Sequence, residues 1–262
     1  MGCCRSREGD SNEDIEKLLL SAEMQLKFFN FSARRIFQLL DKNSSNSQMT
    51  HLQLSKFCEK LGLSLHDFSI KGFFSEYFDR LHNLYLIQPI YALAILLCSD
   101  QNQVKLELLF RVYSKHSQKW IEKSEIETMV LDICNASFEY LTSYSSGFNF
   151  GKKLDSIQNY RHSLIPSKKT MIKYFAGLIF EDVKSSHISH TMFTSFAQNT
   201  KVCCLLKAKT LRLYTFEVMR IYNRAFNAID YIMDDRHADS SEVYHDIQRS
   251  VGSERHHGKV RI

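Results

Sequence analysis

The sequence predicts an all-α protein, and three observations predict it. Only two prolines, Pro89 and Pro166, and nine glycines punctuate 262 residues, fewer special turns than a β-sandwich or a Gly-rich phosphate-binding fold requires. Apolar residues recur at three- and four-residue steps in one segment after another. A third pattern is a repeat: a short amphipathic helix, a polar dozen with one apolar residue near its middle, and a second helix. It occurs four times, with Met49, Leu86, Ile121 and Ile188 at the centres. Apolar residues at 44%, including 19 Phe and 12 Tyr, provide for a sizeable core and exclude wholesale disorder.

In chain order, residues 1–12 read as a flexible arm that carries a lipid address. Met1-Gly2-Cys3-Cys4-Arg5-Ser6 matches M-G-x-x-x-[ST], the pattern for N-myristoylation of Gly2 after removal of Met1. One myristoyl chain gives only marginal membrane binding, about 10⁴ M⁻¹, so stable anchoring needs a second signal. Cys3 and Cys4 supply it as adjacent thiols for S-acylation, whereas Arg5 and Arg7 are offset by Glu8, Asp10, Glu13, Asp14 and Glu16. The expected location is the cytoplasmic face of a membrane.

From Asn12 the run DIEKLLLSAEMQLKFF has apolar residues at helical spacing after an Asn/Asp start, and predicts a first helix. Residues 13–100 then hold the first pair of repeat units and 101–200 the second. The first three central residues are 37 and 35 apart, but the fourth lies 67 further on. The surplus, TSYSSGFNFGKKLDSIQNYRHSLIPS, is rich in Ser, Gly and Asn and reads as a loop inserted over about 141–168. Residues 201–234 form a C-terminal helix without a breaker, and 235–262 are polar enough to stay unfolded.

Several function classes drop out. The net charge of +5 arises from 34 basic residues interspersed with 29 acidic ones, without the dense basic stripe that a nucleic-acid surface needs. Seven cysteines, odd in number and without metal-ligand spacing, fit a reducing compartment. Leu86 to Cys98, the longest apolar stretch, is interrupted by Gln88 and Pro89 and is shorter than the ~20 residues of a bilayer span. No nucleophile elbow, P-loop, zincin or dinucleotide fingerprint is present, so neither an enzyme nor a small-molecule substrate is expected. His187 and His190 have the spacing of a metal pair but no third or fourth ligand nearby, and Cys203-Cys204 read as core residues.

A helix, a twelve-residue loop with an apolar eighth position and a second helix is the plan of an EF-hand. In LLFRVYSKHSQKWIEKSEIETMV, Ile121 takes position eight and Glu125 position twelve. With the lipidated start, the chain resembles the neuronal calcium sensor and calcineurin B families over roughly residues 30–200. The resemblance implies four EF-hands in two paired lobes, with loops bridged at Met49 with Leu86 and at Ile121 with Ile188, plus an extra C-terminal helix. The ion ligands are degenerate. Loop three offers Ser114, His116 and Gln118 with Lys119 at the glycine position, and loops two and four lack a ligand set. Asp41, Asn43 and Ser45 of loop one, together with Glu125, are the remaining calcium candidates, although Gln53 stands where a bidentate Glu is needed. No cofactor is expected, calcium being the alternative. The resemblance implies a membrane-tethered adaptor or regulatory subunit that grips an amphipathic helix of a protein partner, its own C-terminal helix around Leu211 to Ile232 being a competing occupant. The alternative is a myristoylated calcium sensor.

Overall fold

The structure, a computed structural model, describes residues 11–114, 119–148, 150–181, 183 and 185–233, with the backbone alone for 152 and 225–233. Gly2, Cys3 and Cys4 lie outside the described residues.

Local chemistry sets the helix starts. α1 (Asn12–Glu23) begins at Ser11, whose hydroxyl accepts from the Asp14 amide, with Glu13 and Asp14 in the first turn where the helix dipole favours acids. Lys27, at φ 60°, reverses the chain into α2 (Ala33–Asn43), capped by Ser32. β1 (Gln48–Met49) leads to α3 (His51–Lys60), where Thr50 and Gln53 form a reciprocal capping box. α4 (Phe68–Ser75) is capped by Asp67, and β2 (Phe78–Asp79), β3 (Leu84–Leu86) and α5 (Gln88–Leu97) follow. From Ile90 to Leu97 every residue of α5 is buried, so it is a central helix rather than an amphipathic surface one.

The second half repeats the plan. α6 (Asn102–Tyr113), β4 (Trp120–Glu122) and α7 (Lys123–Cys134) form one unit, and α10 (Lys168–Phe180), β5 (His187–Ser189) and α11 (His190–Ser195) another. Between them lie a π-helical segment (Asn135–Tyr140), α8 (Leu141–Ser146) and α9 (Leu154–Leu164). α12 (Thr200–Cys203) and α13 (Ala208–Met233) complete the described chain. The protein is therefore mainly α-helical. It divides into residues 1–213 and a second unit starting at Tyr214, which carries the rest of the α13 helix.

Short strands join the units in pairs. β3 lies between β1 and β2, and β4 pairs with β5, with Ile121 opposite Ile188 and both side chains buried. In the first pair the expected partner of Met49 is corrected. Met49 faces Tyr85, and Leu86 faces Gln48. Strand side chains alternate, so one residue of register exchanges the faces: Tyr85 turns inward against Phe78, 4.8 Å between rings, while Leu86 is left 39% exposed.

Two further expectations are corrected. Where an inserted loop is expected over 141–168, most of the described residues are helical, in α8, a 3-10 turn (Gly151–Lys153) and α9. Their hydroxyls back-bond to the preceding turn, from Thr142 to the Phe138 carbonyl, Ser145 to Leu141 and Ser146 to Thr142, which removes the competition that normally keeps Ser and Thr out of helices. Ile157, Tyr160 and Leu164, at helical spacing, bury the face of α9. The segment expected as one helix from 201 breaks at Lys207, whose backbone is extended. The Leu206 carbonyl there accepts a 2.9 Å hydrogen bond from buried Lys105, a bond it offers because it is turned out of a helix.

A candidate docking cleft and the sites around it

Polar side chains buried within residues 1–213 tie the N-terminal helix, α5 and the root of α13 together. Arg212, fully buried, grips Glu16 of α1 with two parallel hydrogen bonds of 2.7 Å and pairs with Glu23, one helical face further along α1, at 2.8 Å. Its third nitrogen donates to the Ser137 carbonyl of the π-helical segment at 3.3 Å, and the Tyr160 hydroxyl of α9 donates to Glu16. Burial by itself would depress the Arg212 guanidinium, but the carboxylates of Glu23 and Glu16 outweigh it and hold the group more basic than usual. Burial raises the pKa of Glu23, with Arg212 pulling it partly back.

Lys105 is the second tie. Its ammonium donates to the Ile95 carbonyl near the end of α5 at 2.6 Å and to Leu206 at 2.9 Å, so one cation holds two backbone ends together. Burial pushes its pKa down to about 8. At the same end of α5 the Cys98 thiol donates to the Phe28 carbonyl at 3.5 Å, and burial pushes that thiol up to about 12, which keeps it protonated and inert. Asp100 accepts from the Ala33 amide and anchors the start of α2.

Above these ties lies a cleft of about 370 Å³. Leu20 of α1, Phe29, Leu96 and Leu97 form apolar walls, with Glu23 at one side and Asp100, Lys207 and Lys209 on the rim. Lys209 is paired with Glu13 at 2.7 Å. Leu20 is 39% exposed, and Met24, four residues on along the same face of the chain, is 58% exposed. Apolar walls with a few convergent charges, held open by buried polar ties, are what a preformed recognition site requires.

The calcium candidates are placed otherwise. Asp41 lies within α2, where one carboxylate oxygen accepts from the Tyr91 hydroxyl and the other from Arg111 at 3.1 Å. Asn43 donates its side-chain amide to the Leu39 carbonyl at 2.7 Å. Ser45 and Gln48 exchange two 3.0 Å backbone hydrogen bonds around Asn46 (φ 51°) and Ser47 (φ 60°), a tight hairpin turn in place of an ion-wrapping loop. Glu125 is the third residue of α7 and accepts from the Glu122 amide at 2.9 Å, completing a capping box as Gln53 does on α3. Thus the two position-twelve residues of loops one and three, Gln53 and Glu125, both serve helix starts. Residues 115–118 of loop three lie outside the described residues.

The remaining candidates do not converge. His187 sits opposite Glu122 in the β4–β5 pair and is hydrogen-bonded to Ser185, while the His190 ring stands edge-on to Phe110 at 4.8 Å. Cys203 is half-buried and accepts from Asn102, and Cys204 donates to Thr200. Among the described residues no cluster of His, Cys, Asp and Glu could hold a metal, and no helix is long and apolar enough to cross a membrane.

Reading the sequence missed the Glu16–Glu23–Arg212 cluster and counted Glu16 among the acids that offset the N-terminal arginines. The available signal was spacing: Glu16 and Glu23 are seven apart, on the stripe of α1 that also carries Ile15, Leu19 and Ala22. No family model, curated protein or solved structure matches this chain.

Proposed function

We propose that this protein is a membrane-tethered adaptor of EF-hand-like design that receives an amphipathic helix of a protein partner and works without calcium control. The cleft over Leu20, Phe29, Leu96 and Leu97 carries the reading, because exposed Leu20 on a helix pinned by buried charges, with exposed Met24 just past the end of that helix, is costly unless something covers it. A helix presenting large apolar residues at i and i+4 with an acidic neighbour suits those walls and the exposed Lys207 on the rim. Pairing of Ile121 with Ile188 supports the EF-hand-like design, and the engagement of Asp41 by Arg111 supports the loss of calcium control. The tether is the proposed acylation of Gly2, Cys3 and Cys4.

A photo-crosslinking amino acid at Met24, in membranes from cells expressing the protein, tests the cleft. The expected product is an adduct with a helical segment of one partner, lost when Leu20→Asp is introduced. Adducts that survive Leu20→Asp would remove the cleft from the reading. Gly2→Ala should move the protein to the soluble fraction, and unchanged membrane association would end the anchor hypothesis.

A further inference from the structure

The most exposed large apolar side chain of the described residues is not in the cleft. Leu81 is 92% exposed, at the tip of the turn Arg80-Leu81-His82-Asn83 that joins β2 to β3. The turn is built to hold it there. The Asp79 carboxylate accepts from the Leu81 amide at 2.9 Å with one oxygen and from the His82 ring at 2.6 Å with the other, and Asn83 closes the turn at φ 56°. The β2–β3 pairing, Phe78 with Tyr85 and Asp79 with Leu84, fixes its base. Three features coincide: a convex tip, one large aliphatic side chain, and the exposed guanidinium of Arg80 beside it. The nearest acid, Asp79, is already engaged by His82.

We infer that this tip is a second membrane contact, in which Leu81 enters the headgroup and acyl boundary of an anionic leaflet while Arg80 meets lipid phosphates. A convex apolar point flanked by positive charge complements a fluid, negatively charged surface, whereas a protein partner would have to provide a matching pocket. One leucine and one charge bind weakly alone, but on a chain already tethered by acyl groups the second contact is intramolecular, and it sets the face the protein presents to the bilayer. The inference rests on the membrane-tethered reading above.

The test uses the full chain, myristoylated by co-expression with N-myristoyltransferase, in which Trp120→Phe removes the single tryptophan and Leu81→Trp places one at the tip. Vesicles of phosphatidylcholine with or without phosphatidylserine, carrying a shallow spin-labelled lipid, report depth. The expected result is a blue-shifted, quenched residue-81 signal on phosphatidylserine vesicles that is weak on phosphatidylcholine alone. In the otherwise unaltered chain, Leu81→Asp should lower partitioning about tenfold and Arg80→Ala about fivefold. Both replace exposed residues, so circular dichroism should be unchanged. Binding with residue 81 still in water, or equal partitioning of Leu81→Asp, overturns the inference and leaves the tether standing. No vesicle binding at all overturns both. Crosslinks from residue 81 to a protein in cell membranes, without lipid quenching, would reassign the tip to a protein partner and overturn the lipid contact.

Discussion

Arg212 and Lys105 are fully buried cations that hold separate elements together in different ways. Arg212 is matched by two carboxylates, and removing it would leave Glu16 and Glu23 buried without a counter-charge. Arg212→Met should therefore cost about 3–5 kcal/mol in urea unfolding at neutral pH, and adding Glu16→Gln and Glu23→Gln should recover most of it. A loss below about 1 kcal/mol, the value of a surface pair, would show that the cluster contributes little. The Lys105 ammonium donates to two carbonyls, and the pull of the Asp100 carboxylate on it is outweighed by burial. Its pKa falls from 10.5 to about 8 on folding, so between those values the unfolded chain holds more protons and stability rises with pH. Below about 8 the burial cost is present in full. The stability of the protein minus that of Lys105→Met should rise by on the order of 3 kcal/mol between pH 7.5 and 10.5, with other titrating groups cancelling in the difference. A flat difference would mean that the ammonium is not desolvated.

At the level of elements, each exit helix of three units is capped one residue after its bridging position: Met49 then Thr50, Ile121 then Glu122, Ile188 then Ser189. The strand ends and the cap begins within two residues, which explains why Gln53 and Glu125 serve helix starts. Ser47 in the first loop is the weak point, since a left-handed serine lacks the freedom that glycine has. Ser47→Gly should stabilise the protein by about 0.5–1 kcal/mol in thermal or urea unfolding, the relief of the left-handed backbone exceeding the added chain entropy. If the substitution destabilises, the two-residue turn is not the conformation in solution. These starts and turns rest on residues close by in sequence, because caps and left-handed Asn report on their own neighbours, yet Gln53 and Glu125 read there as ion-ligand positions. The β3 register was not legible: Leu84-Tyr85-Leu86 offers three apolar residues, and the choice fell to Tyr85 because Phe78 and His51 lie where its ring can pack and its hydroxyl can meet a polar atom, at 3.3 Å.

For the whole molecule, the expected behaviour is that of a preassembled scaffold. Calorimetric titration of Gly2→Ala protein with calcium to millimolar concentrations should give no binding heat and no change in Trp120, which stands half-exposed opposite Ser189. Heat coupled to a Trp120 change would return the sensor reading to the front. The helical class and the first helix were determined by the sequence alone, since periodicity, scarce Pro and Gly and capping residues act over a few positions, whereas the Ile121–Ile188 pairing was implied only by the resemblance and is present in the structure. Only the tertiary structure decided the helices between 141 and 167, the break at Lys207, the Tyr85 register and the burial of Glu16 on Arg212. Those features depend on partners far away in sequence, 196 residues apart for Glu16 and Arg212, and the burial that makes such a pair worth forming exists only once the core has closed.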